Sequence, residues 1–197
     1  MRDHVRFSEV GAAGGRSIDL AAIRPGDVDV FDIAHGLSRK VRISGRTRAF
    51  YSVADHSIRV ASHLPAPLRL AGLLYDASRA YIDGLSEPFA SRGCGGGEIR
   101  ERVCSAIAER FGLPAVLPAA VYFADRVIYA TALRDIAIQT PSSLEGYAAE
   151  GVVPLEETIH PLTGGEAQVI FLQLFERYAG RTSTGGIYEP GRMQRSG

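Results

Sequence analysis

Apolar residues near the N-terminus follow a short, extended pattern. Phe7 to Leu20 reads as two extended segments around a turn containing Gly11, Gly14 and Gly15, because glycine adopts turn conformations that other residues resist. A β-hairpin-like lid is expected there. From Asp27 the spacing becomes helical. Val30, Ile33, Ala34 and Leu37 recur behind an Asp cap, predicting a helix that contains His35 and ends near Arg39. A second helix starts at Ser52, carries Val53, Ser57, Val60, Ala61 and Leu64 on its inward side, and stops at Pro65. His56 lies three residues after Val53 and four before Val60, so it belongs to that inward stripe.

Pro67 suits the first turn of a third helix, with Leu70, Leu73, Leu74, Ala77 and Tyr81 inward and Gly84 and Pro88 as its end. Ser91 to Gly97 reads as a Gly-rich mobile loop. A fourth helix follows through Ile99, Val103, Ile107 and Phe111, stopped by Gly112-Leu113-Pro114. Pro114 opens a long fifth helix along Leu117, Val121, Ala124, Ile128 and Ala132, with Asp125 on or beside the same face. A loop with Pro141, Pro154 and Pro161 leads to a last helix from Gly165 to Tyr178, with Val169, Ile170, Leu174 and Phe175 inward. The expected architecture is all-α with a short N-terminal β-hairpin-like segment. Its parts are residues 1–26 as the extended segment, 27–180 as the helical domain and 181–197 as a disordered Gly, Ser and Arg-rich tail.

Composition adds exclusions. A chain of 197 residues with 46% hydrophobic and 22% charged residues is long enough for a single core, and neither disorder nor a fibrous architecture is indicated. Basic and acidic residues balance at 22 each, so no global field favours nucleic acid. The run Arg39, Lys40, Arg42, Arg46 and Arg48 is a local exception suited to meet phosphate or nucleic acid. Cys94 and Cys104 match neither a CxxC pair nor a disulfide framework and read as free thiols. The first ten residues carry Asp3, His4 and Glu9 without an apolar core, and no run approaches ~18 apolar residues, so a cytoplasmic protein without membrane contact is expected.

Chemistry concentrates on His56, Asp76 and Asp125, one on each of three expected helices. Taken singly, each is a core polar group needing a partner. Taken together, an imidazole and two carboxylates converging in a helical bundle form a ligand set for a divalent metal. Other candidates are weaker. Gly93-Cys94-Gly95-Gly96-Gly97 lacks the Gly-Lys-Ser/Thr ending of a phosphate loop. Ser52 and Ser57 lie near His56 without the order of a catalytic triad. His35 reads as an interior hydrogen-bonding group, and His4, His63 and His160 as surface or loop residues.

The runs IAHGLSRK (33–40), FYSVADHSIRVAS (50–62), AGLLYDASRAYIDGLSEPF (71–89), IAERFGLP (107–114) and FADRVIYATALRDI (123–136) resemble successive landmarks of the HD-domain nucleotide phosphohydrolases. The branch they resemble contains bacterial 5′-deoxynucleotidases and phage deoxynucleoside triphosphate hydrolases. The resemblance runs from Arg16 to Asp135, more weakly to Tyr178, and implies an HD-type helical bundle. In that family the segment matching residues 73–84 is similar to L-L-H-D-A-x-E-A-Y-x-G-D, with adjacent His and Asp as metal ligands. His56, Asp76 and Asp125 match three of the ligands. Tyr75 stands in place of the signature His, and a phenol with an ordinary pKa near ~10 is a poor ligand at neutral pH.

Further departures surround that position. Arg79 replaces the family's catalytic Glu, and the Gly-Asp pair appears as Asp83-Gly84, shifting the carboxylate by one residue. Arg46, Ala90 and Ala132 stand where related sequences often have His, Lys and Glu. Two readings follow. In one, a guanidinium from Arg79 or Arg46 neutralises Asp76 and Asp125 in place of a metal. The protein is then a pseudoenzyme that binds a nucleotide, another small anion or a protein partner, with self-association included. In the other, His56, Asp76 and Asp125 still hold a divalent metal, weakly, and Arg42, Arg46 and Arg79 grip a phosphate in a divergent nucleotide phosphohydrolase.

Overall fold

The computed structural model describes residues 9–82, 96–138 and 143–180, and the fold is all-α with a short two-stranded antiparallel hairpin at its start. The expected tail after Gly180, Asp83, Cys94 and most of the Gly-rich loop lie outside the described residues. Strand β1 (Glu9–Gly11) pairs with β2 (Ser17–Asp19) in the register Val10 opposite Ile18. Their turn uses Gly15 at φ 79°, a left-handed conformation for which glycine has no steric penalty. The hairpin is no loose lid. Ile18 and Leu20 enter the main core, and the Ala13 amide donates to Asp32 Oδ1 at 2.8 Å.

Asp29 caps α1 (Val30–Arg39) by accepting from the Phe31 amide, satisfying a donor that the first helical turn leaves open. Ser52 caps α2 (Val53–His63) in the same way through the Asp55 amide. The expected third helix is broken in two, α3 (Arg69–Leu74) and α4 (Arg79–Ile82). Between them the amides of Ala77, Arg79 and Ala80 each reach back only three residues, to Leu74, Asp76 and Ala77, so the chain tightens into successive turns. Asp76 therefore sits in a turn rather than inside a helix. Helix α5 (Gly96–Phe111) begins earlier than expected and takes in Gly96 and Gly97. The fifth expected helix, α6 (Ala119–Asp135), starts after Pro118 instead of at Pro114. A short α7 (Ser143–Ala149) was not expected, and α8 (Gly164–Ala179) opens with a capping box between Thr163 and Glu166.

Helix α2 is the hub, packing against α1, α3, α6 and α8. It is consequently buried nearly all round, polar residues included: Asp55, His56 and Ser57 are inaccessible to solvent. One side of the core gathers Leu20, Ile33, Leu37, Leu73 and Phe171, and the other gathers Tyr51, Val60, Leu64, Val121 and Ile128. Helix α8 turns inward through Ala167, Phe171, Phe175 and Tyr178, while Val169, expected inward, is exposed. Close approaches need glycine twice: a Cβ on Gly72 would lie 2.4 Å from the Leu64 side chain, and one on Gly164 would lie 2.8 Å from the Ser38 carbonyl oxygen. Among the described residues no helix is long and apolar enough to cross a membrane.

Candidate functional site

The site forms where α2, the turn after α3, α6 and the loop between α1 and α2 meet. That loop is pinned at both ends. The Arg42 amide donates to the Tyr51 carbonyl at 2.8 Å, and the Arg48 amide to the Ile136 carbonyl at 2.8 Å. Between these anchors Ile43, Ser44 and Gly45 all take positive φ, at 55°, 51° and 70°. For a β-branched residue such as Ile43 this is costly, about 1–3 kcal/mol, and it persists only because the neighbouring structure fixes the loop. The result is that the Arg42 side chain is delivered inward.

Arg42 bridges both acids. Its Nη1 donates to Asp76 Oδ2 at 2.8 Å and its Nη2 to Asp125 Oδ1 at 2.8 Å. The side chains of Arg42, Asp76 and Asp125 keep 14%, 12% and 16% of their exposure, so the pairing is sheltered but not dry. His56 Nε2 donates to the same Asp125 Oδ1 at 2.7 Å, and Tyr51 donates its hydroxyl to His56 Nδ1 at 3.2 Å. Two donors on one oxygen explain the 3.2 Å approach of Arg42 Nη2 to His56 Nε2. This tautomer follows from Asp125, whose ionised carboxylate can only accept, so Nε2 carries the proton and Nδ1 accepts from the Tyr51 hydroxyl, which burial keeps protonated. Burial, reinforced by the Arg42 charge, lowers the His56 pKa against the pull of Asp125, leaving a neutral imidazole. Burial alone would raise the Asp125 carboxyl, but the His56 hydrogen bond and the Arg42 guanidinium outweigh it and hold the group ionised.

The remaining expected residues are placed around this cluster. Arg79 Nη1 lies 3.8 Å from Asp76 Oδ2, a longer ion pair on the same acid. Arg46 is exposed, so of the two arginines expected between the acids neither takes that place; Arg42 does. Tyr75 packs edge-to-face on Tyr122 at 5.6 Å, and burial, then Asp125 and Asp76, pushes its phenol up to about 12. It is therefore protonated at neutral pH. Ser52 and Ser57 are spent on helix α2 itself, the latter bonding the Val53 carbonyl at 3.0 Å. His35, expected in the interior, is half-buried with its ring 6.1 Å from Phe31. His63 and His160 are exposed, and so is Cys104.

The basic run does not form one face. Arg39 bonds Gln168, Lys40 bonds the Arg79 carbonyl, Arg48 bonds the Asp135 carbonyl, and only Arg42 turns to the acids. Above the cluster opens a polar cleft of about 430 Å³, with Arg42, Arg79, Ser44 and Asp125 on its walls and Tyr129 and Tyr147 opposite. The Arg42 guanidinium lies 5.7 Å from the centre of the Tyr129 ring, a cation–π contact. Its Nε is buried and meets no hydrogen-bond acceptor among the described residues. Arg42, expected among the phosphate-gripping residues, instead bridges the acids, and sequence periodicity gave no sign of Tyr129 and Tyr147 at the cleft.

Whether a divalent metal suits these residues is a matter of charge and geometry. Asp76 and Asp125 carry two negative charges, and Arg42 with Arg79 supplies two positive ones, so the cluster is balanced without an ion. Among the described residues no group of three or more His, Cys, Asp and Glu side chains is placed to hold a metal ion. As arranged, the acids fit a guanidinium.

Fold and site together define an all-α protein with a buried His56–Asp125–Arg42–Asp76 network beneath a polar cleft. No family model matches the chain. It is 30% identical over 172 residues to the uncharacterized protein YfdR of Escherichia coli (strain K12), covering 86% of this chain and 94% of that protein. The chain belongs to the YfdR family. It is also 39% identical over 117 residues to the uncharacterized protein RCAP_rcc00048 of Rhodobacter capsulatus, covering 54% of this chain and 60% of that protein.

Proposed function

We propose that this chain is a degenerate HD-type phosphohydrolase fold serving as a non-catalytic binding protein for a nucleotide or another small anion, with a protein partner or a second copy of the chain as the output. The observation that carries this reading is Arg42, which bridges Asp76 and Asp125 at 2.8 Å each. A guanidinium in that position satisfies the acids without creating the activated water that a metal would supply in the related hydrolases. The cleft supports the ligand class: Ser44 and Arg79, whose ion pair with Asp76 is the longer one at 3.8 Å, stand on its walls as donors for anionic oxygen, and Tyr129 and Tyr147 offer aromatic faces.

A second reading rests on a different observation. His56, Asp76 and Asp125 do approach one another around one guanidinium, as the resemblance implies for ligands of a divalent metal in a divergent nucleotide phosphohydrolase. The two readings separate in a single assay series. Purified protein is incubated with deoxynucleoside mono- and triphosphates and Mn²⁺, and both phosphate release and the melting temperature are followed. The binding role predicts a Tm that rises with the logarithm of nucleotide concentration and no phosphate release. Hydrolysis that disappears in Asp76→Ala would reject it in favour of the enzyme.

A further inference from the structure

We propose that Arg42 is a tethered cation standing where a divalent metal would stand, and that this one side chain, rather than the replacement at Tyr75, keeps metal out of the cluster. This rests on reading His56, Asp76 and Asp125 as a residual ligand set and goes beyond it by assigning the exclusion to a residue outside the family's ligand positions. The geometry is specific. Asp76 Oδ2 and Asp125 Oδ1 each lie 2.8 Å from one Nη of Arg42, and His56 Nε2 lies 3.2 Å from the second, so all three donor atoms face one end of one guanidinium. Three protein ligands and water suffice for an open metal site at ~2.0–2.2 Å, but spread around the guanidinium these groups are not placed to hold an ion, so the cation already present decides the geometry.

The second requirement is a histidine able to turn its lone pair to the ion. His56 Nε2 now carries the proton given to Asp125, and Tyr51 Oη lies 3.2 Å from Nδ1. A hydroxyl both donates and accepts, so the proton can shift to Nδ1 and bond Tyr51, freeing Nε2. Tyr51 is fully buried and packs its ring edge-to-face at 6.0 Å from His56, which fixes the imidazole in either tautomer. Arg42 itself cannot drift out readily. Its backbone is bonded to Tyr51, its loop is held by the isolated bridge between Val41 and Ser52, and its guanidinium is stacked near Tyr129. A metal must therefore compete with a cation that is already in place and paired on two sides.

The test is Co²⁺ binding by full-length protein, read by the visible absorption of the bound ion and by Tm. Wild type is expected to take up no stoichiometric Co²⁺. Arg42→Met, which keeps the apolar stem and removes the guanidinium and its charge, is expected to bind one Co²⁺ per chain and to gain Tm with the logarithm of Co²⁺ concentration. Adding Asp76→Asn should abolish both effects. Equal uptake by wild type and Arg42→Met overturns the proposal, and so does no uptake by a folded Arg42→Met. Should Arg42→Met fail to fold alone, repulsion between Asp76 and Asp125 is the expected cause, and either Co²⁺ or Asp76→Asn should restore the fold. Failure of both rescues overturns the proposal as well. Nucleotide enters no arm of this experiment, so the metal result is read separately from nucleotide binding, which the Tm series with nucleotide tests by itself.

Discussion

Arg42 holds two carboxylates that would otherwise face each other across a sheltered space, and its removal should be felt as unpaired charge. Breaking a buried ion pair by deleting one partner costs about 3–5 kcal/mol, and the residual exposure of these side chains reduces that to roughly 2–4 kcal/mol. Arg42→Ala should lower the urea midpoint accordingly, and adding Asp76→Asn should recover part of the loss. An unchanged midpoint would mean that the acids have another source of compensation. His56 makes a second prediction. Its folded-state pKa is lowered by burial, whereas the unfolded chain titrates near ~6.5. Between those values the unfolded chain binds a proton that the folded chain refuses. Stability from this group is therefore full above ~6.5 and falls as the pH drops, by up to about 1.4 kcal/mol per pH unit until the folded pKa is reached. Denaturation profiles of wild type and His56→Gln, compared between neutral and mildly acidic pH, check this: the slope should be smaller in the variant, and an equal slope would rule His56 out as its source.

Among the helices, close packing is most exposed to substitution where α8 begins. A Cβ on Gly164 would meet the Ser38 carbonyl oxygen, a backbone atom that cannot swing aside, so Gly164→Ala should cost about 1–3 kcal/mol in thermal or chemical denaturation. Helical spacing located α1, α2 and α8 within a few residues because each has a polar N-cap and a clear apolar stripe. It failed between Leu74 and Arg79. Leu70, Leu73, Leu74, Ala77 and Tyr81 keep a helical period straight through that stretch, with no glycine or proline to mark the break into α3 and α4. Tyr81 shows what competes with helix continuity: its hydroxyl exchanges hydrogen bonds with the Asp29 backbone and ties α4 to the start of α1. Pro114 reads in the sequence as the opening of the fifth helix, yet α6 begins only after Pro118.

Across the whole molecule, the placement of His56 and Asp125 was legible from helical spacing, whereas Asp76 reaches the cluster from a turn where a helix was expected, and the cation between the acids was not legible. A helix-face argument points to Arg79, three residues from Asp76, and that pair is the longer one at 3.8 Å. The residue that bridges both acids comes from a loop whose positive-φ turn has no periodic signature, and whose reach depends on tertiary anchoring to Tyr51 and Ile136. The consequence is a cluster whose two acids are organised around the Arg42 guanidinium. The most direct measurement is crystallography of the wild-type protein grown with Mn²⁺, using anomalous scattering to locate the ion. The Arg42 guanidinium is expected between Asp76 and Asp125 with no Mn²⁺ peak there; a Mn²⁺ peak ligated by His56, Asp76 and Asp125, with Arg42 displaced, would contradict the assignment of Arg42 as the cation of the cluster.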